Sequence, residues 1–194
     1  GSLSNPTRLS NTFKSVKGLK VKNETISSYL DCFIDAYIIS KSYRYDIKGR
    51  SYIDTPLKYY FTDIGLRNAR LNFRQQEENH IMENIIYNEL IAREFNVDVG
   101  VVEYNHKDDS GKKVRTQLEV DFVVNKTEKR YYIQSALTVS DEDKRRQEVN
   151  SLNKIDDSYA KIVVVRDNIL PWRDEKGVLY INIEDFLLEK INEL

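Results

Sequence analysis

Glu119-Val120-Asp121-Phe122-Val123-Val124 reads as a strand that carries an acid at Asp121. Glu119 shares the face of Asp121, because side chains alternate along a strand. A second strand, Tyr131–Leu137, carries Gln134, whose amide oxygen can bind a cation but brings no charge. Upstream, Glu77–Phe95 reads as a long helix that buries Ile81, Met82, Ile85, Ile86, Leu90, Ile91 and Phe95. Its acids Glu83 and Glu89 stand about 240° apart around the helix, so both cannot serve one site. Glu83 is the first candidate. Such carboxylates suit Mg²⁺, which takes oxygen ligands and lowers the pKa of a bound water.

The elements that must position these residues can be read from periodicity. Residues 1–76 read as helix, helix, hairpin. Leu9–Val16 is a short amphipathic segment stopped near Gly18, and Asn23 or Thr25 can cap the next helix. Ile26, Tyr29, Leu30, Phe33, Ile34 and Tyr37 form its apolar stripe. Ile38–Ile47 and Tyr52–Phe61 are rich in β-branched and aromatic residues, with Lys48-Gly49-Arg50 as the turn and Gly49 free to take positive φ. A helix followed by a basic-tipped hairpin is the outline of a partial winged helix. Thr25–Tyr37 is then the recognition helix and Tyr43–Tyr52 the wing. Lys20, Lys22, Arg44, Lys48 and Arg50 are its candidate nucleic-acid contacts. The module boundary is placed at the polar run Gln75–Asn79, giving modules 1–76 and 77–194. In the second module the order α-β-β-β-α-β-β-α predicts a mixed sheet flanked by helices, an α/β (α+β) fold. Asp141–Leu152 is a charged helix, Ala160–Val165 a central apolar strand, and Ile183–Leu194 a final helix.

Composition fits a soluble globular protein: 194 residues, 40% hydrophobic and 31% charged. No apolar run is long enough to span a membrane, and no signal peptide is visible. One cysteine, Cys32, fits a reducing, cytoplasmic setting and is expected to be buried and inert. The net charge of −1 hides an asymmetry. Residues 1–76 hold 13 Lys or Arg against 6 Asp or Glu, and residues 77–194 hold 17 against 25. The basic part could meet phosphate, and the acidic part would repel it without cations. Lys144-Arg145-Arg146 reads as a solvated face, most tyrosines as core and half-core residues, and Trp172 as a loop anchor. His80 and His106 lack metal-ligand spacing.

Three stretches of sequence carry a resemblance. Lys58-Tyr59-Tyr60-Phe61-Thr62-Asp63-Ile64-Gly65-Leu66-Arg67-Asn68, Glu83-Asn84-Ile85-Ile86-Tyr87-Asn88-Glu89-Leu90 and Glu119-Val120-Asp121-Phe122-Val123 occur in that order. Together they resemble the C-terminal region of a family of prokaryotic AAA+ ATPases. In that family a P-loop module precedes a winged helix and a PD-(D/E)XK nuclease-like domain with the restriction-endonuclease-like fold. The likeness runs from about Ser10 to Leu188. This chain has no G-x-x-x-x-G-K-[ST] motif, so ATP is expected only in an upstream module.

The resemblance also says what a working site contains. An Asp stands on one strand and Glu-x-Lys on the next, with the lysine near the attacking water. Here the second strand has Gln134-Ser135-Ala136: an amide replaces a carboxylate, and Ala136 stands where lysine would be. Losing such a group costs about 10²–10⁴-fold in rate. The resemblance implies a degenerate site at Glu83, Asp121 and Gln134, with Asp121 and Glu83 as candidate metal ligands weak for Mg²⁺, within a binding or regulatory module. Its candidate partners are the upstream ATPase module, DNA and a second copy of the chain. The alternatives are an active nuclease with a lysine relocated from Lys126, Lys144 or Lys161, and a domain for protein interaction only.

Overall fold

The computed structural model describes residues 2–74, 77–107 and 110–188. In chain order the elements are α1 (Pro6–Lys17), α2 (Asn23–Asp35), β1 (Ile39–Asp46), β2 (Ser51–Phe61), α3 (Ile64–Arg70), α4 (Glu78–Ala92), β3 (Asn96–Lys107), β4 (Lys113–Lys126), β5 (Lys129–Ala136), α5 (Glu142–Glu148), β6 (Ala160–Val165), β7 (Trp172–Arg173), β8 (Leu179–Asn182) and α6 (Ile183–Leu187). The strands form one mixed sheet in the order β2-β1-β3-β4-β5-β6-β8-β7. The β3-β4-β5 meander is antiparallel, whereas β1 runs parallel to β3 and β6 parallel to β5 and β8. The α/β expectation holds, with a mixed sheet flanked by helices. The later part of the expected last helix, Glu189–Leu194, and the expected boundary residues Gln75 and Gln76 lie outside the described residues. No helix among the described residues is long and apolar enough to cross a membrane.

Each face of the sheet has its own core. Tyr60, Ile86, Leu90, Phe122, Ile133, Ile181 and Phe186 fill the face under α4 and α6. Val120, Val123, Tyr132, Leu152, Val163 and Tyr180 fill the other, with Val149 at the end of α5. Strand β6 is apolar apart from Lys161, and its residues Ile162, Val163, Val164 and Val165 are buried because both faces are covered.

The hairpin expected as a wing forms two strands of this same sheet. Arg44, Tyr45 and Asp46 of β1 pair in parallel with Val99, Gly100 and Val101 of β3. Its turn also departs from expectation. Positive φ falls on Arg50 (53°), and Gly49 is needed for another reason. The Asp46 carboxylate accepts from Lys48 N and Gly49 N, and a Cβ on Gly49 would lie within 3.0 Å of it.

Helix α1 ends at Gly18 as read, with φ 66°. Helix α2 is where the apolar stripe misleads. Ile26 alone in α2 is buried, while Tyr29 and Phe33 are exposed, as is Tyr37 just beyond it. Cys32 is also exposed, against the expectation of a buried thiol. The reason is partnership: α2 packs mainly on α1 and the start of β1, which cover one narrow side.

A bulge in β4 sets up the site. Asp98 pairs with Val123 but Gly100 pairs with Val120, so β4 contributes one residue more than β3. Val120 and Val123 then enter one core, and Phe122 and Val124 the other. Asp121 and Phe122 thus both turn toward α4, which ideal alternation forbids. Gly100 lies opposite this bulge. A Cβ there would sit 2.9 Å from Ile47 Cδ1, Val120 Cβ and Val123 Cγ2. Gly100→Ala is expected to cost about 1–3 kcal/mol by overpacking, measured by urea unfolding.

Candidate functional site

Three elements meet at one ammonium. Lys58 and Tyr60 alternate inward along β2, and both are buried. Lys58 Nζ lies 2.7 Å from Glu83 Oε1 on α4, 2.7 Å from Glu119 Oε1 and 3.7 Å from Asp121 Oδ1, both on β4. Tyr60 Oη donates to the same Glu83 oxygen at 2.7 Å. Two strands separate β2 from β4 in the sheet, so the long lysine side chain spans the face beneath α4. Lys58 is only 3% exposed, and the outermost of its three acids is Glu119 at 37%.

Helix α4 is fixed to β2 by its amide side chains. Asn84 accepts from Phe61 N at 2.9 Å and donates to Phe61 O at 2.8 Å, and Asn88 donates to Phe61 O and Thr62 O. Tyr87 stacks on Tyr60 with centroids 4.0 Å apart. These contacts orient Glu83 toward Lys58. Glu89, on another side of the helix, pairs with Arg93 at 2.8 Å, so Glu83 is the site glutamate.

Asp121 stands where β4 and β5 part. The last ladder pair before the gap is Phe122 with Ile133. Asp121 Oδ2 accepts from the freed Ser135 N at 2.8 Å, and Asp121 N donates to Gln134 Oε1 at 3.3 Å. Gln134 therefore adjoins the site, but its amide oxygen serves a backbone N–H. Strand alternation places Gln134 on the face of Tyr132 and Ala136, where Ala136 is core. A lysine at position 136 would enter that core instead of reaching Glu83.

The lysine beside these acids is Lys58, and not Lys126, Lys144 or Lys161. Lys126 Nζ donates to Arg93 O and Lys161 Nζ to Ile155 O, while Lys144 is exposed on α5. One signal pointed to Lys58: it shares the inward register of Tyr60 beside the aromatic run Tyr59-Tyr60-Phe61, a place where an unpaired lysine is costly.

The cluster carries more negative than positive charge. Burial pushes the Asp121 carboxyl up to about 7; Glu83 and Glu119 add to this, and Lys58 and the Ser135 N–H oppose it. Burial disfavours the Lys58 ammonium, but Asp121, Glu83 and Glu119 outweigh it and hold the lysine above its ordinary range. Burial, then Glu83, raises the Tyr60 phenol well above its ordinary value, so Tyr60 remains a neutral donor.

Among the described residues, no group of three or more His, Cys, Asp and Glu is arranged as a ready metal cage. Mg²⁺ does not require one: it commonly uses one or two carboxylates, waters and a substrate phosphate. Glu83 Oε2 and Asp121 Oδ1 are carboxylate oxygens that accept no hydrogen bond shorter than 3.5 Å from a described residue. The donor chemistry fits Mg²⁺ through these two residues, with Glu119 adjacent.

The expected nucleic-acid contacts do not share one surface element. Lys20 and Lys22 are exposed between α1 and α2, and Lys48 and Arg50 are exposed at the β1–β2 turn. Lys48 lies 3.9 Å from Asp156. Arg44 is half-buried within β1, and its Nε is buried without a hydrogen-bond partner.

Residues 1–77 match the model of a family described as a domain of unknown function, DUF8612. An uncharacterized protein of Haemophilus influenzae (strain ATCC 51907 / DSM 11121 / KW20 / Rd) is 31% identical over 189 residues. That alignment takes in 97% of this chain and 43% of the relative, so the chain spans less than half of that protein. No solved structure matches.

Proposed function

We propose that this chain is a metal-dependent phosphodiester-hydrolysing module of the PD-(D/E)XK kind, with its lysine supplied from β2. The observation that carries this is the position of Lys58 Nζ, 2.7 Å from Glu83 and 3.7 Å from Asp121. Glu83 and Asp121 would hold Mg²⁺. Bound there, the ion would acidify a water and offset phosphate charge. Lys58 stabilises the negative charge that develops on the phosphoryl oxygens. Glu119, the most exposed partner of that ammonium, occupies the place an entering phosphate oxygen would take. Tyr60 and the Asn84 and Asn88 bonds keep Glu83 aimed. Gln134 positions Asp121 through its backbone and binds no metal.

A second reading is a non-cleaving module for DNA or protein contact that serves an upstream ATPase. The lack of a preformed cage of acids among the described residues favours it, with Lys58 then a structural ion-pair centre. The greater length of the Haemophilus relative leaves room for such a module.

Cleavage of plasmid and single-stranded substrates, with Mg²⁺ or Mn²⁺ and with chelator, separates the two. Hydrolysis should require the ion and fall about 10²–10⁴-fold in Asp121→Ala. No cleavage with either ion, or an unchanged rate in Asp121→Ala, would leave only the second reading.

A further inference from the structure

A band of tyrosines and cations runs along the β1–β2 hairpin to the β4–β5 turn. Tyr43, Tyr52 and Tyr159 are exposed at 40%, 61% and 43%. Tyr52 makes edge contacts with Tyr43 at 6.3 Å and with Tyr45 at 5.3 Å. Lys41 lies over the Tyr43 ring at 5.4 Å. Arg130 bridges Tyr45 at 5.5 Å and Tyr159 at 5.3 Å. Two clefts, of about 690 and 550 Å³, open along this band and share Arg130.

The polar groups of the band divide clearly. Asp98 accepts from Tyr52 Oη, Asp157 accepts from Tyr132 Oη, and Asp156 lies by Lys48. Three of the four acids lining the clefts are thus engaged, and Asp54 is the fourth. Lys41, Arg50 and Arg130 form no ion pair within 4.0 Å with a described acid. Exposed aromatic rings next to such cations suit a polymer of alternating planar bases and phosphates. Each ring can stack on any base, and each cation can replace a counterion. A duplex hides its base faces, so these rings would gain little from it.

We propose that this band binds single-stranded nucleic acid. The proposal does not rest on the hydrolytic reading. Binding is therefore measured without divalent ions, by anisotropy of a labelled oligothymidylate and of a duplex of equal length, across a salt series. The single strand should bind more tightly. Tyr52→Ala and Tyr43→Ala should each weaken it by roughly 5- to 150-fold, and Tyr52→Phe should retain binding. Arg50→Gln should flatten the salt dependence by close to one charge. The rings are exposed, and melting curves will show whether each variant folds like the wild type. Equal or tighter duplex binding, no binding by the wild type, or unchanged affinity in both folded tyrosine variants would overturn the proposal. If the single strand binds but is not cut, the hydrolytic reading fails and the band stands.

Discussion

Lys58→Met should unfold more easily than the wild type by about 3–5 kcal/mol near pH 8, and by much less near pH 5. Methionine keeps most of the length and volume, so the change isolates the charge. Without it, Glu83, Glu119 and Asp121 face one another across a site whose centre is only 3% exposed. The folded-state pKa of Asp121, already raised, then rises further above its unfolded value. The folded state takes up protons that the unfolded chain has already lost, and stability falls as pH climbs through that interval. Protonation relieves the repulsion in acid, so the deficit is full only on the alkaline side. Cleavage should drop about 10²–10⁴-fold at the same time. Urea unfolding at both pH values is the measurement. A variant as stable as the wild type near pH 8 would mean that this ammonium does not neutralise the acids.

Asp121→Asn should remove a slope. In the folded protein the Asp121 carboxyl is pushed up to about 7, against 3.8 as its ordinary value. A carboxyl raised on folding favours the protonated form. Wild-type stability is thus fully present below about pH 4 and declines as pH rises toward 7. Asparagine cannot ionise, and its carbonyl oxygen can still accept from Ser135 N. The variant should therefore be flat across that window, a difference on the order of a few kcal/mol between its ends. It should also lose hydrolysis, because a neutral amide is a poor Mg²⁺ ligand. An equally steep decline in the variant would assign the titration to another group. Loss of activity with improved alkaline stability is the behaviour of a site strained for function.

The sequence revealed the acids of this site better than its cation. Asp121 and Glu83 could be read because each sits in an apolar periodic run whose register points it inward. Glu89 could be set aside only once its pairing with Arg93 was visible. All three stretches that carry the family resemblance converge on Lys58: the first supplies Lys58 and Tyr60, the second Glu83, Asn84 and Asn88, and the third Glu119 and Asp121. Their meeting depends on contacts across 25 to 63 residues, which local periodicity does not encode. Two further features were hidden for physical reasons. The β4 bulge is an irregularity of pairing, and it needs the partner strand to be seen. Helix α2 has a core-like stripe that this chain leaves in water, since amphipathicity specifies a face to cover without naming what covers it.

The parallel pairing of β1 with β3 has a consequence for how such a molecule can be altered. The ammonium belongs to the segment that matches one family description, and the carboxylates belong to the residues C-terminal to that segment. Shuffling or transplanting either portion alone would hand a new host half a charge-balanced couple. A descendant lineage must therefore keep both portions together, or replace the lysine and its acids in step.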